Sequence, residues 1–351
     1  MSTVKRWTSL AALAAVLAAA ACSDTNKPEA VNPSTVASGM TGLTGSFSSN
    51  LAFQSLRELS DAFTFTAASG AAAAVSATLP PVPGDERRFA PTPEQRRALT
   101  QFALRGPAAS LAIFPVDVLG KTFVWDTTAN KYVVSQTETG APSNGVRFKL
   151  YLVNPATHRP QRPLLVVGYV DLTDLSTAQA NKLGVLVKYG TQTIASYTIT
   201  GTIATSGVGL RAEGYITDGT ARLDFDLSMT ISLSQIVVDY WLEGSNGFAA
   251  VMQVTVNLAT GSGSLLWRIS QGGNTVEVNG TSTSTAVDCQ IKFNGVTVAT
   301  ITGDRGNPTI TVAGGRTFTA SELAALRSIF EGFVELMDQI DGVFGPADLV
   351  F

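Results

Sequence analysis

Ala221-Arg222-Leu223-Asp224-Phe225-Asp226-Leu227-Ser228-Met229-Thr230-Ile231-Ser232-Leu233 alternates apolar and polar side chains without a break. Successive side chains of a strand point to opposite sides of its sheet, so this period of two predicts one dry face and one wet face. Antiparallel sheets allow that asymmetry, whereas all-parallel sheets are buried on both faces. The same period recurs from Lys121 to Val312.

Two glycine turns set the register on either side of this stretch. Asp218-Gly219 is a preferred type I′ dipeptide. As a two-residue loop it pairs Leu210 with Leu227, Ala212 with Phe225, Gly214 with Leu223 and Ile216 with Ala221, large residues opposite small ones. The other face then pairs Arg211 with Asp226 and Tyr215 with Arg222, and Arg222 lies diagonal to the unfavourable pair Glu213 and Asp224. Asn294-Gly295 likewise sets Phe293 against Val296, Ile291 against Val298 and Cys289 against Thr300. Turn signals at Gly190-Thr191, Gly244-Ser245-Asn246-Gly247, Gly261-Ser262-Gly263 and Gly272-Gly273 extend the pattern to a meander of about a dozen long strands. No strict repeat is visible, which disfavours a propeller or solenoid.

Helical periods flank the meander. Val36, Met40, Leu43, Phe47 and Leu51 recur at three- and four-residue steps, and Leu56, Leu59 and Phe63 continue them after a phase change, which predicts a helix from Ser34 to about Phe65. Gly39, Gly42 and Gly45 weaken its first half but permit close approach to another backbone. Ala67 to Pro91 reads as a loop, and Thr92-Pro93-Glu94-Gln95 opens a short helix that ends at Gly106-Pro107. Thr319-Ala320-Ser321-Glu322 is a second capping box. Leu323, Leu326, Phe330, Phe333, Met337, Ile340 and Phe344 follow it as a stripe, stopped by Gly345-Pro346, and this helix is expected to pack on the sheet.

With 351 residues the chain can bury a substantial core, and 45% hydrophobic content is a globular value. Only 15% of residues are charged, against about 25% in average soluble proteins, with Ser, Thr, Gly and Val in their place. A net charge of -3 argues against a nucleic-acid binder. One histidine and two cysteines exclude most zinc, haem and iron–sulfur sites built from this chain alone, so no metal or cofactor is expected.

Lys5 and Arg6 precede an apolar run from Leu10 to Ala21, 12 residues long. A membrane-spanning helix needs about 20, so this is the build of a secretory signal peptide. The run ends Ala19-Ala20-Ala21-Cys22, which resembles the lipobox of bacterial lipoproteins over the first 22 residues, with Ala19 where leucine is usual. The resemblance implies cleavage before Cys22 and acylation of its thiol. Several acyl chains then anchor the protein, each buried CH₂ contributing about 0.8 kcal/mol. Ser23, a residue other than aspartate after the cysteine, implies an outer-membrane destination facing the periplasm or the cell surface in a two-membrane cell. The alternative is ordinary cleavage within the alanine run, with Cys22 incidental. Residues 1–21 are thus expected to be a signal peptide and 22–35 a tether. Residues 36–120 form a helical region with an Ala/Pro-rich linker, 121–318 the meander and 319–351 the covering helix, with 36–351 one domain. If Cys22 carries lipid, Cys289 is alone and no intrachain disulfide is expected.

The expected fold is mainly β with α, a large curved antiparallel meander covered by the N-terminal helical region and the long C-terminal helix. In architecture this resembles the half-barrel of the LolA and LppX families of periplasmic lipoprotein carriers. An outer-membrane barrel, the other home for long alternating strands, is disfavoured by the terminal helix and by the redundancy of a lipid anchor.

Candidate chemistry is sparse. His158 lies in a proline-rich basic loop and reads as a solvated tip, with no nucleophile pointing at it. Arg159 and Arg162 beside it offer cations to an anionic lipid or glycan. Cys289 shares a face with Val287, Ile291 and Phe293 and is expected to be a buried, inert thiol. Asp171 with Asp174, and Asp224 with Asp226, are spaced for acid–base or metal work but read as turn and surface carboxylates. Trp241 falls on the face opposite Ile236, Val238, Tyr240 and Leu242, which predicts exposure. No metalloprotease, serine-hydrolase, redox-cysteine, P-loop or dinucleotide motif is present. The leading expectation is a non-enzymatic, lipid-anchored envelope protein. Its apolar interior, at Leu223, Phe225, Met229, Met252 and Val254, either is the core or takes a lipid-like ligand. A scaffold with a filled core is the alternative, and an unrecognised hydrolase is a third reading.

Overall fold

The computed structural model describes residues 33–57 and 113–343, apart from 155, 158, 179, 205, 206, 305, 306 and 316. The signal peptide, Cys22, most of the tether, the Ala67–Pro91 loop, the helix opened by Thr92, His158 and the stop at Gly345-Pro346 lie outside these residues. Two helices come first, α1 (Ser34–Ser48) and α2 (Leu51–Arg57). The single helix expected here is broken because Asn50 caps the second one, its carboxamide oxygen accepting the Ala52 N–H at 3.0 Å.

Strands β1 (Lys121–Asp126), β2 (Lys131–Val134) and β3 (Gly145–Tyr151) precede a small ribbon of β4 (Val153–Asn154) and β5 (Arg159–Pro160). Then come β6 (Val166–Asp174), β7 (Asn181–Tyr189), β8 (Gln192–Ala204), β9 (Gly207–Thr217), β10 (Arg222–Ile231) and β11 (Gln235–Gly244). The series ends with β12 (Ala249–Asn257), β13 (Gly263–Gln271), β14 (Asn274–Ser282), β15 (Ala286–Phe293), β16 (Val296–Asp304) and β17 (Thr309–Val312). After it runs α3 (Ala320–Val343).

Fifteen strands form one mostly antiparallel sheet that is not closed. From β17 to β6 its order is the chain order reversed, the meander expected between Lys121 and Val312, and β3, β1 and β2 complete it. The departure is β1, which pairs parallel with β3, Lys121 opposite Val146 and Phe123 opposite Phe148. The hairpin from β1 to β2 occupies one edge of β1, so β3 must join the other edge, and it arrives in the same direction.

The Asn294-Gly295 turn keeps its expected type, whereas in the Asp218-Gly219 turn only Gly219 has positive φ, 97°, and Ala221 faces Asp218 instead of the expected Ile216. Asn294 and Gly295 both have positive φ, 48° and 80°, as a type I′ turn requires, and Phe293 faces Val296. A bulge between Ile291 and Lys292 then sets Ile291 against Ala299 and Cys289 against Ile301, correcting the expected Val298 and Thr300. At the other turn the Asp218 N–H reaches the Ala221 carbonyl at 3.2 Å, so the loop centres on Gly219-Thr220, one residue later than expected. The Asp218 carboxylate drives this shift by accepting the N–H groups of Thr220 and Ala221, both at 2.7 Å. Leu223, Phe225 and Leu227 are buried as the alternation demands. Leu233 is 97% exposed, because the Ser232–Gln235 turn ends the strand before it.

The described residues divide into two compact units, those within Met1–Thr44 and Phe225–Leu336 and those within Gly45–Asp224 and Met337–Phe351. In the first, Val36, Met40 and Leu43 of α1 are fully or almost fully buried. Of the three helix glycines, none meets the expected backbone: a Cβ at Gly39 would collide with the Gln271 carboxamide, a side chain, and Gly42 and Gly45 face open space. Thr319 and Glu322 close the expected capping box at the start of α3, the Thr319 N–H donating to Glu322 Oε2 at 2.8 Å and the Glu322 N–H to Thr319 Oγ1 at 3.2 Å. Its buried stripe is Ala325, Leu326, Ile329, Phe333 and Leu336, with Leu323 and Phe330 only half-buried. The expected stripe is thus rotated, because Gly332 lets Met40 of α1 come so close that a Cβ would lie 2.5 Å from its Cγ. Each fully buried Leu, Ile or Phe contributes about 1.5–3 kcal/mol, so these helices add materially to this unit.

In the second unit α2 packs on β3, β4, β6 and β7. Ser55 Oγ accepts the Tyr151 N–H at 3.1 Å there. Phe148 stacks on Phe123 at 4.5 Å and meets the edge of Tyr132 at 5.6 Å. Gly214 on β9 lies opposite Tyr197 with φ +152°, and a Cβ would strike the Ser196 carbonyl and come 2.5 Å from Tyr197 Cα. Gly214→Ala is therefore expected to destabilise by about 2–4 kcal/mol, while Gly42→Ala, in open space on a helix, stabilises by about 0.5–1 kcal/mol. Urea unfolding midpoints moving in opposite directions check the pair.

Candidate functional site

The inner face of the first unit brings one predicted site residue into a defined setting. Tyr240, Met252, Trp267, Val278 and Ile291 form a cross-strand row. Trp267 is wedged under α3, its ring 4.6 Å from Phe330 and 5.0 Å from Phe333. Its Nε1 is buried without a partner among the described residues. Met252 is 8% and Phe225 2% exposed, while Met229 and Val254 are half-buried. Leu223, fully buried, belongs to the second unit. Trp267 was missed as an interior residue, although its parity with Leu265 and Ile269 on β13 carried the signal.

Between α1 and α3 the first unit has an open groove of about 470 Å³, lined by Ser34, Ala37, Ser38, Thr41, Ala324 and Ser328 among others. None of the five proposed interior residues lines it. Its walls are small and uncharged. The Thr41 hydroxyl donates to the Ala37 carbonyl of its own helix at 3.0 Å.

The opposite face of this unit carries the charges. Trp241, Val251, Arg268, Glu277 and Lys292 stand in one row across five strands. Glu277 bridges two cations, 2.7 Å from Arg268 and 3.4 Å from Lys292. Partial burial pushes its carboxyl up, but the hydrogen bonds and charges of Arg268 and Lys292 outweigh that and hold it below the ordinary glutamate value. Trp241 is 42% exposed, as its parity predicted.

The remaining candidates resolve to structural roles. Asp171 is gripped by Arg147, at 2.6 and 2.8 Å, while Asp174 accepts the N–H groups of Ser176 and Ile113, so the two share no site. Asp224 binds Arg222 on its own strand at 2.6 Å. Cys289 is a buried free thiol, and burial and then Asp288 push it above its ordinary value, which disfavours the reactive thiolate. Arg162 donates to the Thr127 carbonyl, and Arg159 pairs with Asn154 across the small ribbon. Among the described residues no group of three or more His, Cys, Asp or Glu is placed to hold a metal. No helix among them is long and apolar enough to cross a membrane.

No protein-family model, curated protein or solved structure matches the chain.

The charged row makes a prediction with a definite sign. A carboxyl whose folded value lies below its unfolded one stabilises the fold above the unfolded value and loses that contribution as pH falls through the folded one. Glu277→Gln removes this dependence, so its urea midpoint should drop less than the parent's between pH 7 and pH 3. An equal drop in both proteins would show that the bridge adds nothing to acid sensitivity.

Proposed function

We propose that the chain is a lipid-anchored envelope protein, held on a membrane through acylated Cys22, and that it is a non-enzymatic scaffold presenting one sheet face to a protein partner. The observation that carries the scaffold part is the filling of the first unit's dry face. Leu43, Met40, Leu326, Ile329 and Phe333 occupy the ground that a lipid-like ligand would need, and Trp267 packs against the rings of Phe330 and Phe333. The opposite face is left wet, with Trp241 and the Arg268–Glu277–Lys292 bridge upon it. The anchoring part rests on Ala19-Ala20-Ala21-Cys22 and the charged start of the apolar run before it.

A carrier is the second reading. It is favoured by the buried, unpartnered Trp267 Nε1 beside Met252, a donor that a ligand carbonyl would satisfy.

Native mass spectrometry of protein purified from its own membrane tests both parts. The expected result is a mass increment of acyl chains on Cys22 and no co-purifying small molecule. Cys22→Ser should release the protein from the membrane fraction. An unmodified Cys22 overturns the anchor, and a stoichiometric apolar ligand overturns the scaffold in favour of the carrier.

A further inference from the structure

On β11 the side chains of Asp239, Trp241 and Glu243 stand in line on the sheet face opposite the buried Val238 and Leu242. Neither carboxylate makes a hydrogen bond or ion pair with another described residue. Their cross-strand neighbours on β12 are Gln253, Val251 and Ala249, none of them cationic. An exposed indole thus sits between two uncompensated negative charges, each two residues, about 6.6 Å, along the strand.

Elsewhere the chain joins an aromatic ring and a carboxylate through one of its own arginines. Tyr169 and Asp171 have the aromatic–carboxylate spacing of Trp241 and Glu243, on β6. Arg147 of β3 lies over the Tyr169 ring at 3.8 Å while its guanidinium holds both Asp171 oxygens. Arg222 repeats the combination, 3.7 Å over the Tyr215 ring and bonded to Asp224. In each case the flat guanidinium uses its face for the ring and its edge for the carboxylate, which a lysine ammonium cannot do. The β11 platform has the ring and a carboxylate on each side, and on its β12 side it meets no arginine.

We infer that Asp239, Trp241 and Glu243 form the docking point for an arginine side chain carried by a protein partner. This names the partner chemistry of the scaffold reading and rests on it, although the platform itself needs neither the anchor nor the lipid. Charge complementarity selects the occupant: two unpaired carboxylates exclude an acidic segment and favour a cation, and the ring between them favours a planar one.

The test is an NMR titration of the full chain with Nα-acetyl-arginine amide, following the Trp241 indole N–H, which is assigned by its disappearance in Trp241→Phe. The uncharged isostere Nα-acetyl-citrulline amide is the control. The expected result is a saturable shift with apparent affinity for the arginine probe at least threefold tighter than for citrulline. Asp239→Asn combined with Glu243→Gln should weaken it at least threefold, and both substitutions are on the open face, so the rest of the spectrum should be preserved. Equal response to the two probes, or unchanged affinity in the double variant, overturns the inference. Sedimentation of the parent and the double variant examines the remaining occupant. A dimer that the double variant abolishes would make a second copy of this chain the source of the arginine, and would overturn a separate partner. The titration reads the platform directly, so an unacylated Cys22 would sink the anchor without touching this result.

Discussion

Every part of this molecule depends on the backbone ladder of an antiparallel sheet, in which hydrogen bonding fixes the strand partners and the two-residue alternation then decides which side chains are dry. Once Leu223, Phe225 and Leu227 face inward, Asp224 and Asp226 must face outward, and the same division is handed on from strand to strand. The apolar face has to be covered, and in the first unit α1 and α3 cover it. The polar face needs no cover and is free to hold ion pairs.

The covering also explains where the small residues lie. Gly39 and Gly332 are not tolerated gaps in helices but the points where another side chain, Gln271 or Met40, occupies the space of a Cβ. The close approach brings Phe330 and Phe333 onto Trp267 and leaves the Ser- and Ala-lined groove along the outer seam of the two helices. A filled interior and a plain seam are consequences of the same packing. They direct attention to the charged face for any interaction with a partner.

Much of this was legible from the residues. The sheet begins at Lys121 and ends at Val312, where the alternation begins and ends, because that period is a direct image of strand geometry. Exposure of Trp241 and burial of Cys289 followed from parity alone. What escaped was set by particular side chains or by distant segments. The Asp218 carboxylate moves its turn by one residue, and the extra residue on β16 shifts Ile291 from Val298 to Ala299. The parallel pairing of β1 with β3 is fixed by the edge that β2 leaves open, which no local pattern encodes. The grip of Arg147 on Asp171 joins positions 24 residues apart, and the sequence reading, which set Asp171 beside Asp174, had no means of finding it. The rotation of the α3 stripe depends on Gly332 meeting Met40, nearly the length of the chain away.

The two margins of the sheet carry a consequence of their own. An open sheet offers unpaired amides and carbonyls at its borders, which invite copies to add on and grow into fibres. Here the terminal strands are four residues each, Lys131–Val134 on one side and Thr309–Val312 on the other. β17 shields only Ala299–Thr302 of its neighbour, and Lys131 sets a charge at the start of the opposite border. So short a template gives an incoming strand few bonds to offset its lost freedom. A sheet of fifteen strands can therefore stop at fifteen instead of polymerising.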